Sequence, residues 1–357
     1  MTGRGDVAIV GAGPIGLAVA WRCVQRGRRV TVLDPAPGSG ASSVAAGMLS
    51  PVSESYFGER ELTALLVDSA ARWPAFAAEL GEAAGVDVGY RAEGTLVVAL
   101  TADDLAAVDR LRGYQAGLGL PIEPLVGSAL REREPLLAPG VRGGAHAPTD
   151  HQVDPRRLVP ALRRAAVAAG VTIRAGAVTD LSTVDSETVV VAAGCGTAAL
   201  TGLPIRPVKG QVLRLAAPGG EPGFRHVIRG HADGSSVYLV PRRGGEVVVG
   251  ATEEERADAQ VTAGAVRDLL RAATDLVPDL AEYALVETGV GHRPGTPDNA
   301  PVIGPLPGRP GVIVAAGHHR HGIVLTPVTA DLVVDLIEGG AAPSPFTPDR
   351  FAEAVRG

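Results

Sequence analysis

The chain has 357 residues, with 33 Lys+Arg against 39 Asp+Glu and a formal net charge of −6, so its charge gives no support to a nucleic-acid groove, which needs a basic face. Hydrophobic residues make up 46% and charged residues 20%, which excludes a disordered chain and allows one large domain or two of ordinary size. Gly 47 and Pro 28 form about a fifth of the chain without a collagen-like period, so many loops and close backbone approaches are expected.

The apolar run at 7–10 predicts a buried parallel strand, broken at once by Gly11-Ala-Gly-Pro-Ile-Gly16. Ile15, Leu17, Val19, Ala20 and Cys23 then predict a helix that stops at Gly27, and 30–33 predicts a second strand ending in Asp34. That is one complete βαβ unit. Further on, Asp154 as cap and Pro155 at the first helical position predict a helix closed by Gly170. Buried strands are predicted at 188–193, before Gly194, and at 312–316, before Gly317, and a last helix runs from about Thr326 to Glu338. Short strands at 95–99, 211–215, 237–240 and 246–251, separated by turns such as Arg243-Gly244-Gly245, suit an antiparallel sheet. The chain is therefore expected to leave a nucleotide-binding domain twice and return twice. Residues 1–84, 146–203 and 289–357 form that domain, and 85–145 with 204–288 form a second, sheet-based one.

Gly11, Gly13 and Gly16 have the GxGxxG spacing. The first permits a tight turn, the second lets the backbone approach a pyrophosphate, and the third lets the helix pack on the strand. The helix N-terminus, beginning at Pro14 and Ile15, offers unpaired N–H groups and a positive dipole end to phosphates. Asp34, 18 residues after Gly16, stands where a carboxylate accepts from both ribose hydroxyls and disfavours a 2′-phosphate. The motif by itself does not separate FAD from NAD. The small residues 38–43, followed by Val44-Ala-Ala-Gly-Met-Leu49, can run along an extended ligand and close-pack against a flat ring.

Four stretches together resemble the D-amino-acid oxidase-like family of flavoenzymes, and within it the glycine-oxidising branch. They are GAGPIG with Asp34; SSVAAGML at 42–49; SVYLVPRRGGEVVVGAT at 236–252; and GHRPGTPDNAPVIG at 291–304 with AAGHHRHGIVLTP at 315–327. The resemblance implies a Rossmann-like FAD-binding domain of the glutathione-reductase type with an antiparallel-sheet substrate domain. It implies FAD contacts at Pro14, Ile15, Asp34, Ser42, Ser43, Ala46, Gly47, Met48 and Val178, to which we add Gly194 at the end of the 188–193 strand. The stretch from His318 through His319, Arg320, His321, Gly322 and Ile323 to Val324 is the one implied to approach the flavin ring. Arg293 and Arg320 match two arginines of the family's substrate site, and Tyr238 matches a tyrosine that lines it.

These assignments also have physical grounds. A small amino-acid substrate offers a carboxylate, which the planar guanidinium fork binds bidentately, and Arg293 lies in a Gly-His-Arg-Pro-Gly-Thr stretch that reads as a stiff turn. Adjacent histidines at 318–321 with an arginine among them do not make a metal site, so no metal is expected. Glu253-Glu254-Glu255 reads as a solvated loop. Ser50 lies on the expected pocket floor, His292 stands where an apolar residue is usual, and Ser236 replaces a histidine that some relatives carry. No cysteine follows Cys195, so FAD is expected to be non-covalent.

The expected reaction is FAD-dependent oxidation of glycine, or of sarcosine or D-alanine, to the imine, with O2 reduced to hydrogen peroxide. The α-hydrogen leaves as hydride to the flavin, no side chain is assigned as proton acceptor, and the imine is implied to supply the thiazole of thiamine. The alternatives are a broad D-amino-acid or sarcosine oxidase, a dehydrogenase with another acceptor, or a flavin-binding scaffold without activity. Two cysteines, with neither a signal peptide nor a 20-residue apolar span, read as a cytoplasmic protein with no membrane or nucleic-acid partner. The family resemblance implies a homo-oligomer, a tetramer.

Overall fold

A computed structural model describes residues 6–232 and 234–351; the ends of the expected nucleotide-binding parts, 1–5 and 352–357, lie outside them. Residues of alternating and continuous apolar character form two large sheets, beside the two-stranded pair Met48–Leu49 and His151–Gln152. The first has six strands, in the order Val302–Pro305, Val312–Ala316, Thr188–Val191, Asp6–Val10, Arg29–Asp34 and Thr172–Ala175. All neighbours run parallel except Val302–Pro305, which is antiparallel to Val312–Ala316. Strands buried on both faces explain the continuous Val/Ile runs. Helices Pro14–Gln25, Arg60–Ala84, Pro155–Ala168 and Thr326–Ile337 contribute to the core that includes Ile9, Val32, Val190 and Ala315. On the other side Ala8, Val10, Val189 and Val314 meet Leu181, Leu203 and Ile205.

Helix Pro155–Ala168 starts as its sequence predicts, with the Asp154 carboxylate accepting from the Arg156 N–H. The 25-residue helix Arg60–Ala84 has no counterpart in the sequence reading. Its apolar stripe, Leu62, Leu66, Trp73, Phe76 and Leu80, is interrupted by Pro74. Packing against the first and last helices overrides that weak local signal.

The second sheet has eight strands, in the order Ala284–Gly295, Arg206–Ala216, Glu246–Gly250, Ser235–Pro241, Val227–Ala232, Thr95–Ala99, Gly143–Ala147 and Glu123–Val126. It is antiparallel except where Val227–Ala232 runs parallel to Thr95–Ala99. One face, with Leu213, Leu239, Val249 and Ile228, packs on helix Ala263–Leu276. The other face presents Tyr238, Val240 and Val248 toward Ala46 and Met48. That second contact brings the two sheets' chemistry together. The stretch around Arg293 is not the expected turn but the end of the 12-residue strand Ala284–Gly295, in register with Arg206–Ala216 across Val208↔Arg293. Pro294 is tolerated there because the strand is at the sheet edge.

Candidate functional site

At the end of strand Asp6–Val10 the chain turns through Gly11 at φ 113°. A Cβ on Gly11 would collide with the Ala192 carbonyl, and one on Gly16 with the Gly11 carbonyl. At Gly13 a Cβ would meet nothing within 4 Å, so that glycine is not required by the protein's own packing; it leaves an open cradle at the helix N-terminus. Gly13 is also the N-cap, and no side chain caps helix Pro14–Gln25, so its first N–H groups are free for an anion. Asp34 accepts from Ala12 N at 2.6 Å and Ala36 N at 2.7 Å. A carboxylate has about four lone-pair sites, so two remain for hydroxyl donors.

The 42–49 stretch is a wedge between the sheets. Ser42 is buried in the single turn Ala41–Ser43, and Ser43 Oγ donates to the Gly40 carbonyl at 2.9 Å. Val44 fills the space above Gly289 and Gly291. The Ala46 carbonyl accepts from Arg242, whose other arm reaches Gln152 Oε1 at 2.5 Å. Gly47 is left-handed at φ 73°, where the Val153 carbonyl and Pro155 leave no room for a Cβ, and Met48–Leu49 pairs with His151–Gln152. Val178 packs on the cluster containing Val10 and Val189. Gly194, at φ 57°, begins the turn Gly194–Gly196 after strand Thr188–Val191.

The segment 318–324 is folded into the interior. His318 Nε2 lies 3.0 Å from Thr329 Oγ1, and the Val324 carbonyl accepts from Ser69 Oγ at 2.6 Å and Trp73 Nε1 at 2.8 Å. His319 is left-handed at φ 49°, an uncommon conformation for a residue with a Cβ. Burial holds His318 at about 3 and, with help from Arg320 and Arg293, His319 at about 3 as well. Burial also pushes His321 down to about 4, against the pull of Glu54. All three are neutral near pH 7. The ring nitrogens of His319 and His321 are buried without hydrogen-bond partners, a cost that a bound polar group could remove.

The open Gly13 cradle, the uncapped helix, the spare acceptors of Asp34 and these orphaned rings fit FAD. The cradle and Asp34 would hold its diphosphate and ribose. The wedge and the 318–324 segment would border its ring.

Facing this segment is a row of directly opposed residues on one face of the large sheet: Val97, Arg229, Tyr238, Gly250, Val212 and Gly289. Its glycines are spaces for neighbours. A Cβ on Gly250 would lie within 2.5 Å of the Tyr238 ring, and one on Gly210 within 2.7 Å of the Arg293 guanidinium. Arg293 thus lies flat over Gly210, donating to the Thr252 carbonyl at 3.2 Å and the Lys209 carbonyl at 3.5 Å. Burial raises the Tyr238 phenol, opposed by the charge of Arg293, so its O–H is a donor near pH 7.

Three arginines serve this region, and they differ. Arg229 pairs with Glu54 at 2.5 Å, and Arg320 lies 3.7 Å from Glu59. Arg293 alone of the three has no carboxylate partner among the described residues. Burial would raise Glu54, but Arg229, His321 and Arg320 together hold it at about 2. Glu54, Arg229 and Glu59 were not found from sequence, because strand register and a distant turn bring them together and no local pattern marks them. Ser50 is buried with its hydroxyl unpartnered. Ser236 is exposed at the far end of its strand, and His292 Nε2 lies 2.9 Å from the Asp258 carbonyl.

The loop at 253–255 is solvated as expected, with Glu253 and Glu255 exposed, and it also carries polar contacts. Glu255 pairs with Arg206 at 2.9 Å, and Glu254 accepts from Gln211 at 2.7 Å and lies 3.9 Å from the buried Lys209. Among the described residues no three His, Cys, Asp or Glu side chains are grouped to share a metal ion.

A family model for FAD dependent oxidoreductases matches residues 6–336. The chain is 37% identical to a glycine oxidase of Geobacillus kaustophilus, over 95% of this chain and 94% of that protein. It is 35% identical to a bifunctional protein ThiO/ThiG of Synechocystis over 97% of this chain, which spans 54% of that longer protein. The crystal structure of the glycine oxidase from Geobacillus kaustophilus superposes with a TM-score of 0.89 at 36% identity, covering 97% of this chain and 98% of the other.

Proposed function

The chain belongs to the family of FAD-dependent oxidoreductases that includes the D-amino-acid oxidases, and we propose that it oxidises glycine, with sarcosine and D-alanine as further substrates, to the imine. The observation that carries this reading is Arg293: a half-buried guanidinium without a carboxylate partner among the described residues, on the sheet face with Tyr238 and close enough to the 318–324 segment to lower the His319 pKa. A substrate carboxylate is the partner it lacks. The phenol of Tyr238 can donate a further hydrogen bond. Desolvation in a pocket bordered by three neutral histidines favours the neutral form of the bound amine. No side chain has to accept a proton for that form to react. Positioning and electrostatics are then the protein's contribution.

The chemistry that FAD supplies when bound, without covalent attachment, is acceptance of two electrons from the substrate C–H bond and their delivery to O2 as hydrogen peroxide. The released imine hydrolyses, or serves thiazole formation for thiamine, a role in line with the ThiO/ThiG relative. We place this activity in the cytoplasm, in a homo-tetramer; among the described residues no helix is long and apolar enough to cross a membrane. The test is a peroxide assay of the purified yellow protein over glycine, sarcosine, D-alanine and an amine lacking a carboxylate. Peroxide from the first three and not the last is expected. Oxidation of the carboxylate-free amine at the same rate would overturn the reading, and reduction of an added dye without peroxide would replace the oxidase by a dehydrogenase.

A further inference from the structure

We propose that Glu54 restricts the enzyme to monocarboxylate amines by neutralising Arg229, which would otherwise bind a second carboxylate on the substrate. The inference rests on the reading that Arg293 anchors the first.

Arg229 is placed for such a role by register. It lies directly opposite Tyr238 on the neighbouring strand, so both side chains leave the sheet on the same face, within direct contact range of one another. The Arg229 side chain keeps 21% of its surface accessible, and among the described residues its one hydrogen bond goes to Glu54 Oε1 at 2.5 Å. Without Glu54 this would be a second planar fork on the wall that already carries Arg293.

Glu54 comes from the opposite side, on the turn after the Met48–Leu49 strand. Asp150 fixes that turn, accepting from Val52 N at 2.9 Å and Ser53 N at 2.8 Å. The Glu54 carboxylate is therefore delivered to Arg229 by a rigid clamp, not by a mobile side chain on the surface. Its second oxygen stands 3.6 Å from His321 Nδ1, on the segment that borders the flavin ring. A carboxylate approaching Arg229 would meet the ionised Glu54 first. Like charges at such a distance in a partly desolvated pocket repel strongly, and the pair's charge is already satisfied. A substrate with one carboxylate on Arg293 and an uncharged remainder escapes this penalty.

The test compares wild type, Glu54→Gln and the double variant Glu54→Gln/Arg229→Met as FAD-loaded proteins. The ratio of kcat/KM for D-aspartate to that for glycine is measured. So is the rise in melting temperature on adding malonate, against acetate as the monocarboxylate control. Glu54→Gln should raise the D-aspartate to glycine ratio by at least about tenfold, the worth of one hydrogen bond to a charged group. It should also gain a malonate response that wild type lacks. The double variant should lose both gains. Glu54→Gln protein that keeps its FAD but shows neither gain overturns the inference, as does a double variant that retains them. Glu54→Ser gives the same readouts should the glutamine variant fail to hold FAD. If wild type does not oxidise glycine, the proposed function fails, and the malonate comparison still decides the role of Glu54.

Discussion

Replacing Arg293 by alanine removes the one of the three arginines that has no carboxylate partner among the described residues. In the free protein Arg293 makes two bonds, to the Thr252 and Lys209 carbonyls at 3.2 and 3.5 Å. Both are long, and both partners are neutral, so their loss should cost the fold only about 1 kcal/mol. The substrate loses far more. Its carboxylate would enter a pocket shielded by Tyr238 and the 318–324 segment with nothing to pair it, and removing one member of a buried, hydrogen-bonded charge pair costs about 2–5 kcal/mol. At about 1.4 kcal/mol per factor of ten, kcat/KM for glycine should fall by roughly 30-fold to several thousand-fold. Arg293→Lys should recover only part of this, because an ammonium cannot present the planar fork and its shorter reach leaves the space over Gly210 unfilled. The assay is steady-state peroxide production with glycine and with an amine lacking a carboxylate, alongside FAD content and melting temperature. The carboxylate-free amine should be poor for wild type and almost indifferent to the substitution. A variant with normal FAD and near-normal kcat/KM for glycine would refute the reasoning and direct attention to Arg229 and Arg320, both of which start with a carboxylate partner.

Three further outcomes follow from the same geometry. Gly210→Ala would place a methyl group 2.7 Å from the Arg293 guanidinium; activity with glycine should drop while FAD is retained, and unchanged kinetics would mean that Arg293 need not lie flat. Asp34→Ala should weaken FAD binding by about 1.5–3 kcal/mol, the loss of bonds to a charged acceptor, measured by titrating the stripped protein. Excess FAD should restore turnover, and turnover that stays lost at saturating FAD would count against a role confined to the ribose. Lowering the pH tests the buried histidines. Folded values of about 3, 3 and 4 for His318, His319 and His321 lie below the ordinary 6.5, so the unfolded chain takes up protons that the folded one refuses. Stability is then complete above pH 6.5 and is lost as the pH falls toward 4, by about 2 kcal/mol per histidine at pH 5. Melting temperatures from pH 7.5 to 5 should fall accordingly, and less steeply for His318→Gln; a flat profile would contradict the assigned neutrality.

What the sequence determined by itself is local or periodic. The strand–glycine–helix–strand unit ending in Asp34, the Asp154–Pro155 helix start and the last helix are each written in a few consecutive residues, because caps, glycine turns and apolar periods act over one or two turns of chain. The cofactor class and the enzyme family were legible because four quoted stretches keep their order along the chain. Tertiary structure alone decided how the substrate side is built. Arg293 lies on a strand rather than a turn because 12 residues of sheet pairing outweigh the local Gly and Pro signals. Helix Arg60–Ala84 survives Pro74 because its apolar stripe is buried. The pairing of Glu54 with Arg229, 175 positions apart, has no local signature at all, since an ion pair is set by which strands become neighbours and which turn faces them. That pairing, with Glu59 beside Arg320, leaves Arg293 as the one of the three without a carboxylate partner among the described residues. Which arginine is left to serve as the proposed substrate anchor is thus a property of the fold, although every residue in it is plain in the chain.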